Sequence, residues 1–311
     1  MIFIKRYTPD LKNAWNDFVS QCFNASFMHQ RGFMEYHSDR FEDFSLMVYD
    51  DQDLLACIPA HNSDKDFRSH RGLTYGGLLV KSYFAEQIDR YLDALIIYLK
   101  QKGFQKAEFN LPPLGYGGTF IELENQLKDS GFTIYRSLCS MGMNLQDELK
   151  ISGKKSAGYR NGAFDAFKYV QSDDLELFWD DILIPSLKAR HGSKPVHSLE
   201  EISLLKSRFP ANIVLKAVYC ENEMIAGSLF FIDQNVIKSQ YAASNQKGFE
   251  MRAMDFLNQE AIKEFKNKNY RFFDFGTTQL TDGSINKGLK RYKSELGAKE
   301  SKMNRLTMEL Y

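Results

Sequence analysis

The densest set of side chains able to do chemistry lies near the C-terminus. Lys287, Lys290, Arg291, Lys293, Lys299, Lys302 and Arg305 crowd a stretch opposed only by Glu295 and Glu300. Such a stretch suits a phosphate-bearing ligand, and it is equally the pattern of a solvated helix face. Just upstream, Asp274 stands near the end of the apolar run Arg271-Phe272-Phe273-Asp274-Phe275-Gly276. A carboxylate there can orient a nucleophile or take its proton, directly or through water, or it can cap the Gly276-Thr277 turn. Glu108, in Ala107-Glu108-Phe109, invites the same two readings. Tyr241, in a strand-forming segment, offers a phenol to a leaving group or ligand, or packs in the core with its hydroxyl satisfied.

Three loops could meet a ligand. Tyr75-Gly76-Gly77 allows close approach to the backbone, or forms a plain tight turn. Ser152 to Arg160, with Lys154, Lys155 and Arg160, reads as a solvated linker or as a basic loop facing a ligand cleft. His191 to His197 is a polar loop that could touch ligand; His29 and His197 match between the copies, but no third ligand is placed by sequence, so no metal site is expected. Cys22, Cys57, Cys139 and Cys220 lack zinc-binding or redox spacing and read as buried thiols. No Ser-His-Asp signature is visible.

The elements that must position these residues occur twice. Lys5, Leu11 and Trp15 match Lys168, Leu175 and Trp179; His29 matches His197, and Arg40-Phe41 matches Arg208-Phe209. Val48-Tyr49 then matches Val218-Tyr219, Tyr75 matches Tyr241, Glu108-Phe109 matches Asp274-Phe275, and Met143-Leu145 matches Met308-Leu310. The constant order argues for a duplicated domain, since solenoid periods are only about 20 to 50 residues. Each copy opens with an amphipathic helix around its tryptophan. FSLMVYDDQDLLACIPA and NIVLKAVYCENEMIAGSLFFI each read as a β-hairpin broken by a polar turn. A strand around Tyr75 or Tyr241 follows. A long helix then passes through Gly103 or Asn269, each a candidate left-handed cap, into AEFNL or RFFDFG.

The expected architecture is α/β with a mixed sheet, divided as residues 1–145, a linker at 146–167, and residues 168–311. A length of 311 residues fits two domains at about 100 to 200 residues each. Lys plus Arg total 40, as do Asp plus Glu, so overall charge demands neither nucleic acid nor an anionic membrane. No run approaches the roughly 18 apolar residues of a membrane span, and MIFIKRYTPD lacks the features of a signal peptide. The expectation is a cytoplasmic protein without membrane insertion.

In order of elements the chain resembles tandem GNAT domains, as in the Fem-type peptidyltransferases and BioF2-like acetyltransferases. The sharpest likeness is the strand ending Asp274-Phe275-Gly276, followed by Lys287-Gly288-Leu289-Lys290-Arg291-Tyr292-Lys293-Ser294-Glu295-Leu296-Gly297. Tyr292 and Leu296 stand where that group carries phenylalanines. The resemblance implies transfer of an acyl group to an amine, by positioning and charge stabilisation. It implies that Lys293 lies by the acyl donor and stabilises developing negative charge, with Asp274 and Tyr241 as further catalytic candidates. Gln246, Lys247 and Gly248 fall where GNAT domains bind pyrophosphate, though at altered spacing; Lys290 and Arg291 complete the donor-binding set. Tyr75, Gly76, Gly77, Glu108 and Arg160 are the acceptor-binding candidates. The implied donor is an acyl-CoA. The acceptor is a small-molecule amine such as an amino sugar or envelope precursor. Aminoacyl-tRNA as donor, and a non-catalytic binding protein on the same scaffold, are the alternatives.

Overall fold

The computed structural model describes residues 2–280 and 282–311, without the side chains of Arg190 and His191. The chain forms two compact units: unit 1 holds the residues up to Leu138 together with Lys302–Tyr311, and unit 2 holds Cys139–Ser301.

In unit 1, β1 (Ile2–Arg6) precedes α1 (Lys12–Ser20), whose Trp15, Phe18 and Val19 recur at spacings of three and four and are buried. The Trp15 indole N–H donates to His29 O at 2.8 Å. After α2 (Arg31–Met34) and the short β2 (Glu42–Asp43), β3 (Leu46–Asp50) and β4 (Asp53–Ile58) form the first hairpin, turned through Asp51 at φ 53°. A second hairpin joins β5 (Ala60–Ser63) to β6 (Asp66–Ser69). The amphipathic α3 (Ala85–Gln101) ends through Gly103 at φ 76° and feeds β7 (Lys106–Asn110). α4 (Gly118–Asp129) and β8 (Thr133–Asn144) complete this half.

Unit 2 continues with α5 (Ala157–Arg160) and β9 (Phe167–Ser172). A π-helical segment, Leu177–Leu183, then runs into α6 (Ile184–His191). A capping box between Ser198 and Glu201 starts α7 (Leu199–Arg208). The β10 (Ile213–Cys220), β11 (Glu223–Ile232) and β12 (Val236–Ser244) meander leads through α8 (Gln246–Glu250) to α9 (Ala253–Asn267). Asn269, at φ 63°, turns the chain into β13 (Phe272–Thr277), followed by α10 (Lys287–Glu295) and β14 (Lys299–Glu309). In unit 2 the strand order is β8-β13-β12-β11-β10-β9.

These units do not coincide with the halves 1–145 and 168–311. In unit 1, Arg305–Glu309 of β14 pair with β7; in unit 2, residues of β8 pair with β13. Each unit is thus closed by the last strand of the other half, and residues 146–167 belong to unit 2. The expected strand at Tyr75 is absent: its surroundings form a loop with one bridge, Cys57↔Leu79. In unit 1, β6 already occupies the place beside β7 that β12, carrying Tyr241, occupies beside β13. Adjacent glycines further disfavour a strand there.

The repeated residues make repeated contacts. Trp15 and Trp179 are both fully buried. The rings of His29 and Tyr75 lie 6.0 Å apart, and those of His197 and Tyr241 5.9 Å apart. Each unit has its own apolar core, around Phe67, Leu95 and Phe109 in unit 1 and around Phe230, Phe265 and Phe273 in unit 2.

Candidate functional site

The site lies in unit 2, where two parallel strands part. β12 and β13 pair only as Val236↔Phe272, Ile237↔Phe273 and Lys238↔Asp274. The register between β11 and β12 shifts between Phe230↔Ser239 and Leu229↔Tyr241, leaving Gln240 as a bulge residue. Beyond the split is a cavity of about 490 Å³. Ser239, Ala242 and Ala243 of β12 line one side and Phe275 of β13 another; Met254 and Leu289 add apolar surface, and Phe249 lies half exposed at the lining.

Lys293 lines this cavity and is only 7% exposed. Its Nζ donates to Gly276 O and Thr277 O, both at 3.0 Å. Burial pushes its pKa down to about 8; Lys238 lowers it further, while Asp274 and Cys139 oppose the shift. At neutral pH most of the population remains an ammonium, in surroundings where such a charge acts more strongly than in water.

A second cationic group, Lys154, Lys155 and Arg252, also lines the cavity. Lys155 Nζ lies 2.8 Å from Asp255 Oδ1 and 3.9 Å from the Tyr292 ring centroid. Arg252 donates to Asp255 Oδ2 through Nε (2.9 Å) and Nη2 (2.6 Å), and to Lys154 O at 2.7 Å. Asp255 therefore ties two cations to the start of α9. Arg252 adopts φ 61°, uncommon for a residue with a side chain. Asn258 donates to the Tyr292 hydroxyl at 3.0 Å. Burial first, then the Asp255 charge, push the Tyr292 phenol well above its ordinary pKa. The sequence offers Lys154 and Lys155 only as an alternative to a linker, and its motifs do not single out Arg252, Asp255 and Asn258. A signal was present: Asp255, Asn258 and Gln259 recur at helical spacing and are buried in α9, where a plain core helix would be apolar.

The remaining sequence candidates scatter. Asp274 is buried; it accepts from Ser140 Oγ (2.9 Å), Gly276 N (2.7 Å) and Lys238 Nζ (3.3 Å). Tyr241 turns from the cavity lining towards Trp179, and its hydroxyl meets His197 Nδ1 at 2.6 Å. Burial raises its pKa. Gly248 lines the cavity, but its N–H donates to Asn245 Oδ1 at 2.8 Å. A Cβ on Gly248 would lie 2.1 Å from Ile225 O, so close backbone approach explains this glycine. Gln246 bonds Glu250 and Lys247 bonds Glu223, at 2.7 and 2.8 Å, outside the lining. Lys290 pairs with Glu300, Arg291 with Glu295, and Arg160 donates to Gly153 O. In unit 1, Tyr75 is buried with its carbonyl receiving His29 Nε2, and Gly76 N donates to Asn110 O. Gly77 adopts φ 107°, and Glu108 pairs with Arg68 and Lys106. The His191 side chain lies outside the described residues. Among those residues no group of three or more His, Cys, Asp or Glu side chains is arranged to hold a metal ion, and no helix is long and apolar enough to cross a membrane.

No protein-family model and no curated protein matches this sequence. Solved structures do match in fold. FemX superposes with a TM-score of 0.71 at 12% identity, over 98% of this chain and 97% of that one. L-PGS from Bacillus licheniformis gives 0.61 at 14% identity, over 96% and 91%. A tandem GNAT protein from the clavulanic acid biosynthesis pathway gives 0.52 at 9% identity, over 100% and 99%. Together with the split strands and the repeated units, these likenesses give the chain the tandem-GNAT fold of the Fem-type group.

Proposed function

We propose that the protein is a cytoplasmic N-acyltransferase that moves an acyl group from an acyl-CoA-type donor to an amine such as an amino sugar or cell-envelope precursor. The carrying observation is the buried Lys293 ammonium at the wall of a largely apolar cavity opened by the parting of β12 and β13. In this reading the acyl part of the donor lies against Ala242, Ala243 and Phe275, and the cations of Lys154 and Arg252 meet its phosphates. The neutral amine attacks the carbonyl carbon: a C–N bond forms, the C–S bond breaks, and the leaving thiolate takes up the proton that the amine releases. Negative charge collects on the carbonyl oxygen in between, and Lys293 stabilises it.

A second reading keeps attack by the neutral amine and takes aminoacyl-tRNA as donor, so that the ester C–O bond breaks and the ribose oxygen takes up the proton that the amine releases. It is favoured by the state of α8: Asn245 already occupies the Gly248 amide, and the side chains of Gln246 and Lys247 are drawn to Glu250 and Glu223. Calorimetric titration of the purified protein with acetyl-CoA, at low and moderate salt, separates the readings. Saturable binding is expected for the acyl-CoA enzyme. Absence of heat up to about millimolar ligand, roughly −4 kcal/mol of binding, sinks that donor. Charged tRNA is then tested, with affinity expected to fall steeply with salt as phosphate contacts release counterions. Failure of both donors to support transfer leaves a binding protein on the same scaffold.

A further inference from the structure

The split between β12 and β13 carries a charge pair next to the cavity residue Lys293. Lys238 and Asp274 are the last residues paired across the parallel strands, and their side chains meet at 3.3 Å with Asp274 almost fully buried. Asp274 Oδ1 receives the N–H of Gly276, two residues on, at 2.7 Å. Gly276 sits at φ 74°, a left-handed conformation that a residue with a side chain adopts only with strain. The carbonyls of Gly276 and Thr277 are the ones that receive Lys293 Nζ. A continuous path of hydrogen bonds thus runs from the charge pair, through a left-handed glycine turn, to the ammonium in the cavity wall.

We propose that the Lys238–Asp274 pair is the positioning device for Lys293: Asp274 fixes the Gly276 turn, and the carbonyls of that turn hold the ammonium at the cavity. Asp274 on this account is a positioning residue, engaged by Ser140, Gly276 and Lys238, and takes no proton from the acceptor. Unit 1 supplies a comparison. Its parallel strands end in the equivalent pair, Arg68↔Glu108, but Asn110 stands where Gly276 does, and its carbonyl receives Gly76 N rather than a lysine. The pair belongs to the duplicated sheet; its coupling to a buried lysine belongs to unit 2. The charged and titratable groups bearing on Lys293 are Asp274 on β13, Lys238 on β12 and Cys139 on β8.

The inference gives meaning to the acyltransferase reading but is tested without substrate. Trace acetylation of Lys293 with acetic anhydride, quantified by peptide mass spectrometry from about pH 6 to pH 11, follows its titration. Wild type should titrate near 8. D274N, which keeps an oxygen for Gly276 N–H but loses the charge, should lower that value by about one unit, and K238M should raise it by a similar amount. D274A releases the turn as well, so its labelling rate at the high-pH plateau should exceed that of D274N several-fold. A Lys293 titration that neither D274N nor K238M moves overturns the proposal, as do equal plateau rates in D274N and D274A. Should one variant fail to fold, the sign of the shift in the other decides. If the shifts appear and no acyl donor binds, the positioning device stands and the acyltransferase reading falls.

Discussion

The two units share a scaffold, and one helix position separates the unit that lines the cavity from the unit that does not. In each, a buried tryptophan on the first helix, a histidine near the start of the next helical segment and a tyrosine downstream form a linked set, and each parallel pair of strands ends in a cation opposite an acid. Counted back from the left-handed glycine that ends α4 or α10, Gly131 or Gly297, Leu127 stands where Lys293 does. Leu127 is fully buried in the core of unit 1. Lys293 is almost as buried yet reaches two carbonyls and a cavity. Duplication preserved what holds the sheet and helices together, while the chemistry rests on a position where one copy completes its core and the other opens it. Packing tolerates few changes in volume, whereas a side chain at a cavity wall is freer to be replaced.

The sharpest break of that comparison is to make unit 2 like unit 1. K293M keeps most of the side-chain volume and removes the charge. If Lys293 stabilises the developing oxyanion, the transfer rate should fall about 10²- to 10³-fold, with donor affinity changed far less. Initial rates and calorimetric binding on the same preparations check this. A variant retaining full rate would place the chemistry elsewhere and leave Lys293 and Leu127 as two ways of filling the same space.

The scaffold was legible in the sequence because it is local and periodic. Apolar spacing marked the helices carrying Trp15 and Trp179, polar turns marked both hairpins, and Gly103 and Asn269 both adopt the left-handed conformation expected of them. What sequence order could not reveal was the exchange of β8 and β14, since a strand of suitable pattern serves either sheet equally well. Tyr75 misled because its match with Tyr241 preserves the contact with histidine but not the strand, whose place β6 takes. Lys293 was legible through the run from Lys287 to Gly297; its partners in the cavity were not. Arg252, Asp255 and Lys155 are distant in sequence and meet only when α9 packs beside the 152–160 segment. Charge density pointed to Lys290 and Arg291, which are spent on Glu300 and Glu295.

Unit 1 has its own distinguishing cluster, and acid should expose it. His29, His37, His61 and His70 are all buried there. Burial pushes His29 and His61 down to about 4 and His70 to about 2, and lowers His37 as well. Folded-state values below the unfolded value of about 6.5 mean that the unfolded chain binds protons first as pH falls. Stability is therefore fully present above about 6.5 and is lost progressively towards pH 4. For His29, which is wholly buried, that loss is about 3 kcal/mol. The two tryptophans make separate reporters: W179F leaves Trp15 to follow unit 1, and W15F leaves Trp179 to follow unit 2. In urea at pH 5, the Trp15 transition should come at lower denaturant than at pH 7, and should move more than the Trp179 transition. Equal movement of both would mean that the units unfold as one, or that the histidine cluster carries no net cost on protonation.

The smallest expected effect sharpens the comparison within unit 2, between its two candidate phosphate-binding edges. The α8 edge is the one that motif position suggests, but Lys247 is held by Glu223 on the surface and Asn245 covers the Gly248 amide. The α9 edge carries Arg252, which lines the cavity and shares Asp255 with Lys155. K247A should therefore change donor affinity by less than about threefold, since an exposed ion pair contributes little. Arg252 is no neutral control, because its loss also removes a partner from buried Asp255 and a bond to Lys154 O, so the informative quantity is the salt slope. If Arg252 meets donor phosphate, R252M should flatten the dependence of log affinity on log salt by nearly one contact's worth, while K247A leaves the slope unchanged. The reverse pattern would move the donor's phosphates back to α8 and require Asn245 to release the Gly248 amide on binding.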